Sequence, residues 1–173
     1  MANSFFKHIV SFIGQSDSGM LGSSGFPKVY RNFVAKFGFG QGNAARVTWI
    51  SFTAFNQSVQ EGLYPVYLYY KNQRLLILAY GVSATRPPKI KWTFKQPNTL
   101  TVGDFFRSNG LGKPLKYEES YVFRQYKISP LVENYGLNEQ IVIDDLDELI
   151  KHYMEVFSTD PPLAPKDDEI TEP

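Results

Sequence analysis

The sequence predicts an α+β domain: a curved, mainly antiparallel β-sheet flanked by helices from the N- and C-termini. Three observations carry that expectation. Apolar residues recur at helical spacing near both ends (Phe5, Phe6, Ile9, Val10, Ile13, then Leu146, Leu149, Ile150, Tyr153, Met154, Phe157). Between them they alternate at period two. Two such runs, either side of a four-residue connection, make residues 64–82 a hairpin. At 173 residues and 43% hydrophobic content the chain suits one folded domain with a real core. No apolar run approaches the ~20 residues that span a bilayer, and the N-terminal segment is a poor secretory signal. With no cysteine there is no disulfide framework, thiolate metal site or cysteine nucleophile. A cytoplasmic domain with no membrane contact and no cofactor is expected.

In order, Asn3 is placed to cap a docking helix that Gly14 ends. The small, polar run from Gln15 to Gly25 reads as a loop. Val29 to Phe39 reads as a strand with Phe33, Ala35, Phe37 and Phe39 on one face. The glycine run of FGFGQGN lacks the lysine of a phosphate-cradling loop and the spacing of a dinucleotide fingerprint, so it predicts a turn exposing Gln41 and Asn43. Val47 to Phe52 is the next strand. In the following one, Tyr64, Val66, Leu68 and Tyr70 share a face opposite Pro65, Tyr67 and Tyr69. After Pro87 and Pro88, the alternation from Lys89 to Phe94 predicts a strand exposing Lys89, Lys91 and Thr93 and burying Ile90, Trp92 and Phe94. Thr101 and Asp104 form a capping-box pattern before a short helix with Phe105 and Phe106. Ser120 to Ile128 returns to the sheet, and Asp144 is placed to cap the last helix. Residues 1–158 are therefore read as the folded domain, and 159–173, Pro-rich and acidic, as a linker or tail toward a further domain.

The formal net charge of +1 conceals a division. Residues 18–117 hold thirteen Lys or Arg against two acids, net +11; residues 118–173 hold four against fourteen, net −10. Such asymmetry points to a polyanion-binding half, or to two halves that neutralise one another in the fold. Catalytic chemistry is sparse. His8 and His152 fall on opposite terminal helices, and the acids from Asp144 to Glu148 suit the start of an amphipathic helix better than a metal site. No enzymatic activity is expected of this segment on its own. Binding chemistry is better represented: Trp49, Tyr64 and Tyr117 offer planar surfaces for a base or sugar, although a residue of this type, taken singly, is more often core than ligand contact.

The ordered features YRN at Tyr30–Asn32, FGQGN from Phe39, Trp49, GLYPVYLYYK from Gly62, LAYGVSAT from Leu78, Trp92 and KYEESY around Tyr117 resemble the N-terminal DNA-recognition domains of the McrB family. These are the targeting modules of GTP-driven restriction systems directed at modified cytosine. The resemblance runs from about the first helix to the last with spacing nearly preserved. It implies binding of double-stranded DNA carrying methylated cytosine, with that base flipped into a pocket, and a GTPase motor domain and nuclease subunit in the full system. The family's pocket positions fall on Trp49, Tyr64, Leu68 and Tyr117, with base-edge contacts from the backbone of Gly81, Val82 and Ser83 and phosphate contacts from Arg31, Lys89 and Lys91. A methyl group adds only ~1 kcal/mol of apolar burial, which implies a modest preference for the modified base. One departure stands in the glycine loop. Where a family member carries an aromatic wedge that fills the hole left by the flipped base, this chain has Gln41, which can hydrogen-bond the orphaned guanine but not stack as well. The alternatives are a reader of another modified base or of DNA shape alone, or a protein- or glycan-binding module using the same tyrosines.

Overall fold

In the computed structural model, residues 4–94, 96–157 and 164–165 are described. Helix α1 (Phe6–Ser18) is followed by β1 (Val29–Tyr30), β2 (Phe33–Gln41), β3 (Asn43–Thr53), β4 (Leu63–Tyr70) and β5 (Leu75–Val82). Then come the short helix α2 (Val102–Ser108), β6 (Tyr121–Lys127) and α3 (Glu139–Val156). The six strands pair antiparallel in sequence order into one open, curved sheet, so the fold is α+β as expected. Among the described residues no helix is long and apolar enough to cross a membrane.

Period-two alternation divides the side chains between two layers. On one face, Phe33, Ala35, Phe37 and Phe39 of β2, Ile50 and Phe52 of β3, Tyr67 and Tyr69 of β4 and Leu76, Leu78 and Tyr80 of β5 pack under α1 and α3. On the other, Val47, Tyr64, Val66, Leu68, Tyr70, Leu75, Ile77 and Ala79 meet Val102 and Phe106 of α2. Strand β4 is buried along its whole length, so its two faces each need a cover. The hairpin between β4 and β5 closes through a single 3₁₀ turn, Lys71–Gln73, with Arg74 in the left-handed region at φ 50°.

Four features differ from the sequence expectation. The single strand expected over Val29–Phe39 is broken by a turn at Arg31 and Asn32, with Arg31 at φ 53°, so that β1 folds back antiparallel on β2 and Tyr30 stands opposite Phe33. Helix α1 runs past Gly14 to Ser18, because Ser16 is buried and bonds Thr48 Oγ1 at 2.7 Å, and Gly19 at φ 79° makes the actual C-terminus. Helix α3 starts a full turn before Asp144: Asn138 caps it, accepting from the Ile141 N–H at 3.0 Å, and Val142 extends the apolar stripe. The acids of α3 therefore lie mid-helix, where partners across the fold hold them. Asp147 accepts from the Tyr30 hydroxyl at 2.6 Å and takes both Nε and Nη2 of Arg31, while Asp145 accepts from Tyr126 at 2.7 Å and pairs with Arg124. Finally, Lys89–Phe94 is not a strand. The free edge of β5 is taken by β6, with Leu75 opposite Lys127 and Tyr80 opposite Tyr121, so no ladder remains for it to join. Ile90 is 43% exposed against expectation, whereas Trp92 is buried and its indole N–H donates to the Gly81 carbonyl at 2.9 Å. The Asn3 cap and, apart from 164–165, the 159–173 stretch lie outside the described residues.

The tyrosines hold the layers together by hydroxyl as well as by ring. Tyr69 donates to Asp17 of α1 at 2.9 Å, and Tyr153 of α3 donates to the Ala54 carbonyl at 3.0 Å. Burial, before any neighbouring charge, raises the phenols of Tyr30, Tyr69 and Tyr80 to about 12. A phenol whose folded pKa exceeds its unfolded value near 10 keeps its proton in the native state while the unfolded chain releases it. The stabilisation is thus fully present below pH 10 and is lost between pH 10 and 12. Urea melts across that interval are expected to show a steep fall in unfolding free energy, and a flat profile to pH 12 would contradict the burial of these hydroxyls.

Candidate functional site

The second face of the sheet is incompletely covered. Helix α2 has only seven residues, and beside it a cavity of about 390 Å³ opens between β3, β4, the 59–60 loop, residues 84–85 and the 116–120 loop. That volume falls within the roughly 300–1,000 Å³ of small-molecule sites. Trp49, Tyr64, Leu68 and Tyr117 all line it. Tyr64 and Leu68 are buried, and Trp49 and Tyr117 are half-buried, so two rings keep part of their planar faces available.

Each position follows from local structure. Trp49 stands opposite Gly38 of β2 and Leu68 of β4. Its indole lies across Gly38 so closely that a Cβ there would sit 2.1 Å from Trp49 Cε2. Tyr64 stands opposite Gly81, and a Cβ at Gly81 would sit 2.8 Å from the Tyr64 ring. The two glycines leave room for two flat side chains against the sheet. Tyr117 is positioned by its loop, in which it adopts φ 65°, an uncommon conformation for a residue with a Cβ. The loop is tied down on both sides. The Tyr70 hydroxyl donates to the Lys116 carbonyl at 2.8 Å, and the N–H groups of Gly103 and Val102 donate to Glu118 and Ser120 carbonyls at 3.1 and 2.7 Å. Those N–H groups belong to the first turn of α2, where a helix has no internal acceptors, so the loop satisfies the helix while the helix fixes the loop. Thr101 completes the cap by accepting from the Asp104 N–H.

Burial raises the phenols of both Tyr64 and Tyr117, and the nearby Tyr117 phenol, were it ionised, would further oppose ionisation of Tyr64, so both stay protonated at neutral pH. The polar side chains lining the cavity are Gln60, Thr85, Lys116 and Ser120, and sequence reasoning missed all four. Lys116 and Ser120 were findable as neighbours of Tyr117 in KYEESY; nothing in the sequence marked Gln60 or Thr85. Among the described residues no group of His, Asp and Glu is arranged to hold a metal ion.

The remaining sequence-predicted residues are dispersed. Gln41 is exposed at the tip of the β2–β3 hairpin, opposite Asn43 and three residues, about 10 Å, beyond Gly38. Lys89 and Lys91 are exposed on the segment after β5. Arg31 is held by Asp147 of α3, which covers the opposite face of the sheet. At Gly81–Ser83 the Gly81 carbonyl accepts the Trp92 indole, the Val82 N–H donates to Ser120 Oγ at 3.1 Å and the Ser83 N–H donates to the Gly62 carbonyl at 3.0 Å, so these three groups are engaged within the fold.

No protein-family profile matches the chain. Over 140 residues, 81% of its length, it is 33% identical to the Type IV methyl-directed restriction enzyme EcoKMcrB subunit of Escherichia coli (strain K12). The matched part is that subunit's N-terminal region. The chain is a homologue of the McrB N-terminal region. It spans 29% of the length of that relative, so the comparison concerns this McrB-type domain alone.

The close approach at Gly38 gives a direct test of how the McrB-type cavity is built. Gly38→Ala is expected to displace the Trp49 indole and cost about 1–3 kcal/mol, the range for overpacking a filled site. Urea melts would read the loss, and a changed tryptophan emission would report the movement, since Trp92 lies away from Gly38 against Tyr80 and Tyr153.

Proposed function

We propose that this domain binds double-stranded DNA carrying a modified cytosine and takes that base out of the stack into the cavity beside α2, as the targeting module of a modification-dependent restriction system. The observation that carries this is the convergence of Trp49, Tyr64, Leu68 and Tyr117, distant in sequence, on one open cavity. Extruding a base costs a few kcal/mol of stacking and pairing, offset by stacking on protein rings and by contacts to the base edge. Trp49 and Tyr117 supply the planar surface. Tyr64 and Leu68, four residues apart on the same face of β4, close the buried side against the base and its 5-methyl group, limiting what size of base fits.

Charge placement supports the same function. Lys36, Arg46, Lys89, Lys91, Lys113 and Lys116 form no ion pair among the described residues, and Lys116 lines the cavity itself. These cations suit phosphate contacts. Arg31, committed to Asp147, suits them less. Gln41, at the hairpin tip within about 10 Å of Gly38, suits the space vacated by the base and can hydrogen-bond the orphaned guanine. In the full system a GTPase motor domain and a nuclease subunit would act on the bound DNA, in the cytoplasm; this domain would do no chemistry of its own.

Titration of duplexes with 5-methyl-, 5-hydroxymethyl-, N4-methyl- and unmodified cytosine tests the reading. Trp49→Ala is expected to weaken binding of the preferred duplex about 5- to 150-fold, from the ~1–3 kcal/mol of one base–aromatic stack; unchanged affinity would remove Trp49 from the site. For the wild-type domain, log Kd against log salt should be steep, and Lys116→Ala should make it shallower by about one phosphate's worth. 2-Aminopurine placed next to the target cytosine should brighten on binding if the base leaves the stack.

A further inference from the structure

Ser120 is 2% exposed and lines the cavity, yet lies three residues from Tyr117 at the start of β6, where nothing in the proposed pocket uses it. Among the described residues its hydroxyl has one partner: Oγ accepts from the Val82 N–H at 3.1 Å. A serine hydroxyl has two acceptor lone pairs and one donor proton. The Val82 bond occupies a lone pair, and the backbone fixes the residue from both sides, its N–H donating to the Tyr117 carbonyl at 3.2 Å and its carbonyl accepting from Val102 at 2.7 Å. What remains is a proton on a buried, positioned oxygen with no acceptor among the described residues. Leaving such a group unmatched is costly, and a site built around it discriminates against ligands that cannot accept its bond. Gln60, Thr85 and Lys116 also line the cavity, but Gln60, Thr85 and Lys116 are exposed and free to turn to solvent.

We propose that Ser120 Oγ–H is a specificity-determining donor that reads an acceptor on the edge of the captured pyrimidine, its ring N3 or its O2 carbonyl, with the Val82 N–H holding the hydroxyl in its donating orientation. The assignment rests on the base-binding role proposed above. It also gives Val82 a part different from that implied by the family resemblance: its N–H acts through Ser120 instead of meeting the base.

The test compares 5-methylcytosine with its 3-deaza and 2-thio analogues and with an abasic site, each at the target position of one duplex. The wild-type domain should bind one of the two analogues about three- to tenfold more weakly than 5-methylcytosine, the worth of a single hydrogen bond. Ser120→Ala should bind 5-methylcytosine more weakly by the same factor and should no longer distinguish that analogue, whereas a purely structural role would lower affinity for every duplex alike. Ser120→Thr, which keeps the hydroxyl and the Val82 acceptor, should retain the wild-type preference. Should Ser120→Ala fail to fold, the wild-type series still decides: equal affinity for 5-methylcytosine and both analogues overturns the proposal. Discrimination of the analogues by Ser120→Ala as strong as that of the wild type overturns it too, while leaving base capture intact. Equal wild-type affinity for 5-methylcytosine and the abasic site would instead remove base capture itself.

Discussion

Everything in this fold answers to the burial of β4 on both faces. A strand whose alternate side chains all lie out of water needs two covering layers, and the chain supplies unequal ones. Two long helices, α1 with thirteen residues and α3 with eighteen, cover the first face. The second receives α2 and three loops, and where their cover ends the cavity begins. A gap of this kind would ordinarily cost stability through lost contacts. Here Gly38 and Gly81 let rings lie flat on the sheet, and reciprocal hydrogen bonding between the first turn of α2 and the 116–120 loop makes the rim rigid without filling it. The cavity is therefore held open by elements that depend on one another, so its shape belongs to the fold and not to a single loop.

The same asymmetry organises charge. On the helical face, Asp145, Asp147 and Glu148 of α3 are met by Arg31 and Arg124, and tyrosine hydroxyls share the two aspartates. Half-exposed pairs of this sort contribute little to stability singly. Their larger effect is to hold these three acids of α3 on the helical face, away from the cavity. The basic and acidic halves meet across the helical face at Arg31 and Asp147, and among the described residues Lys36, Lys89, Lys91, Lys113 and Lys116 form no ion pair.

The architecture was legible where one periodicity admitted one interpretation. The β4–β5 hairpin, with Tyr64, Val66, Leu68 and Tyr70 on a common face, follows from alternation alone. Alternation misled at Lys89–Phe94, because it describes side-chain direction and says nothing of whether a sheet edge is vacant; β6, nearly thirty residues on, had taken that edge. Helix ends were misplaced where a second competent cap, Asn138, lay a turn upstream of the first acid. The crowd of tyrosines suggested a binding surface, yet Tyr67, Tyr69 and Tyr70 are buried with their hydroxyls engaged, and of the four in GLYPVYLYY only Tyr64 borders the cavity. The four pocket residues were named through family resemblance; residue types alone left each as core or contact. Gln60, Thr85 and the single-partnered hydroxyl of Ser120 depend on long-range placement that no local pattern encodes.

The β2–β3 hairpin has a further implication. Past the register shift between Gly38 and Gly40, its tip from Gln41 to Ala44 is exposed and touches neither core. Changes to its exposed side chains alter what the domain presents beyond Gly38 without disturbing the layers that hold the cavity open. Side chains can therefore be exchanged at Gln41, Asn43 and Ala44 with little risk to folding, whereas Gly42, at φ 72°, holds the turn.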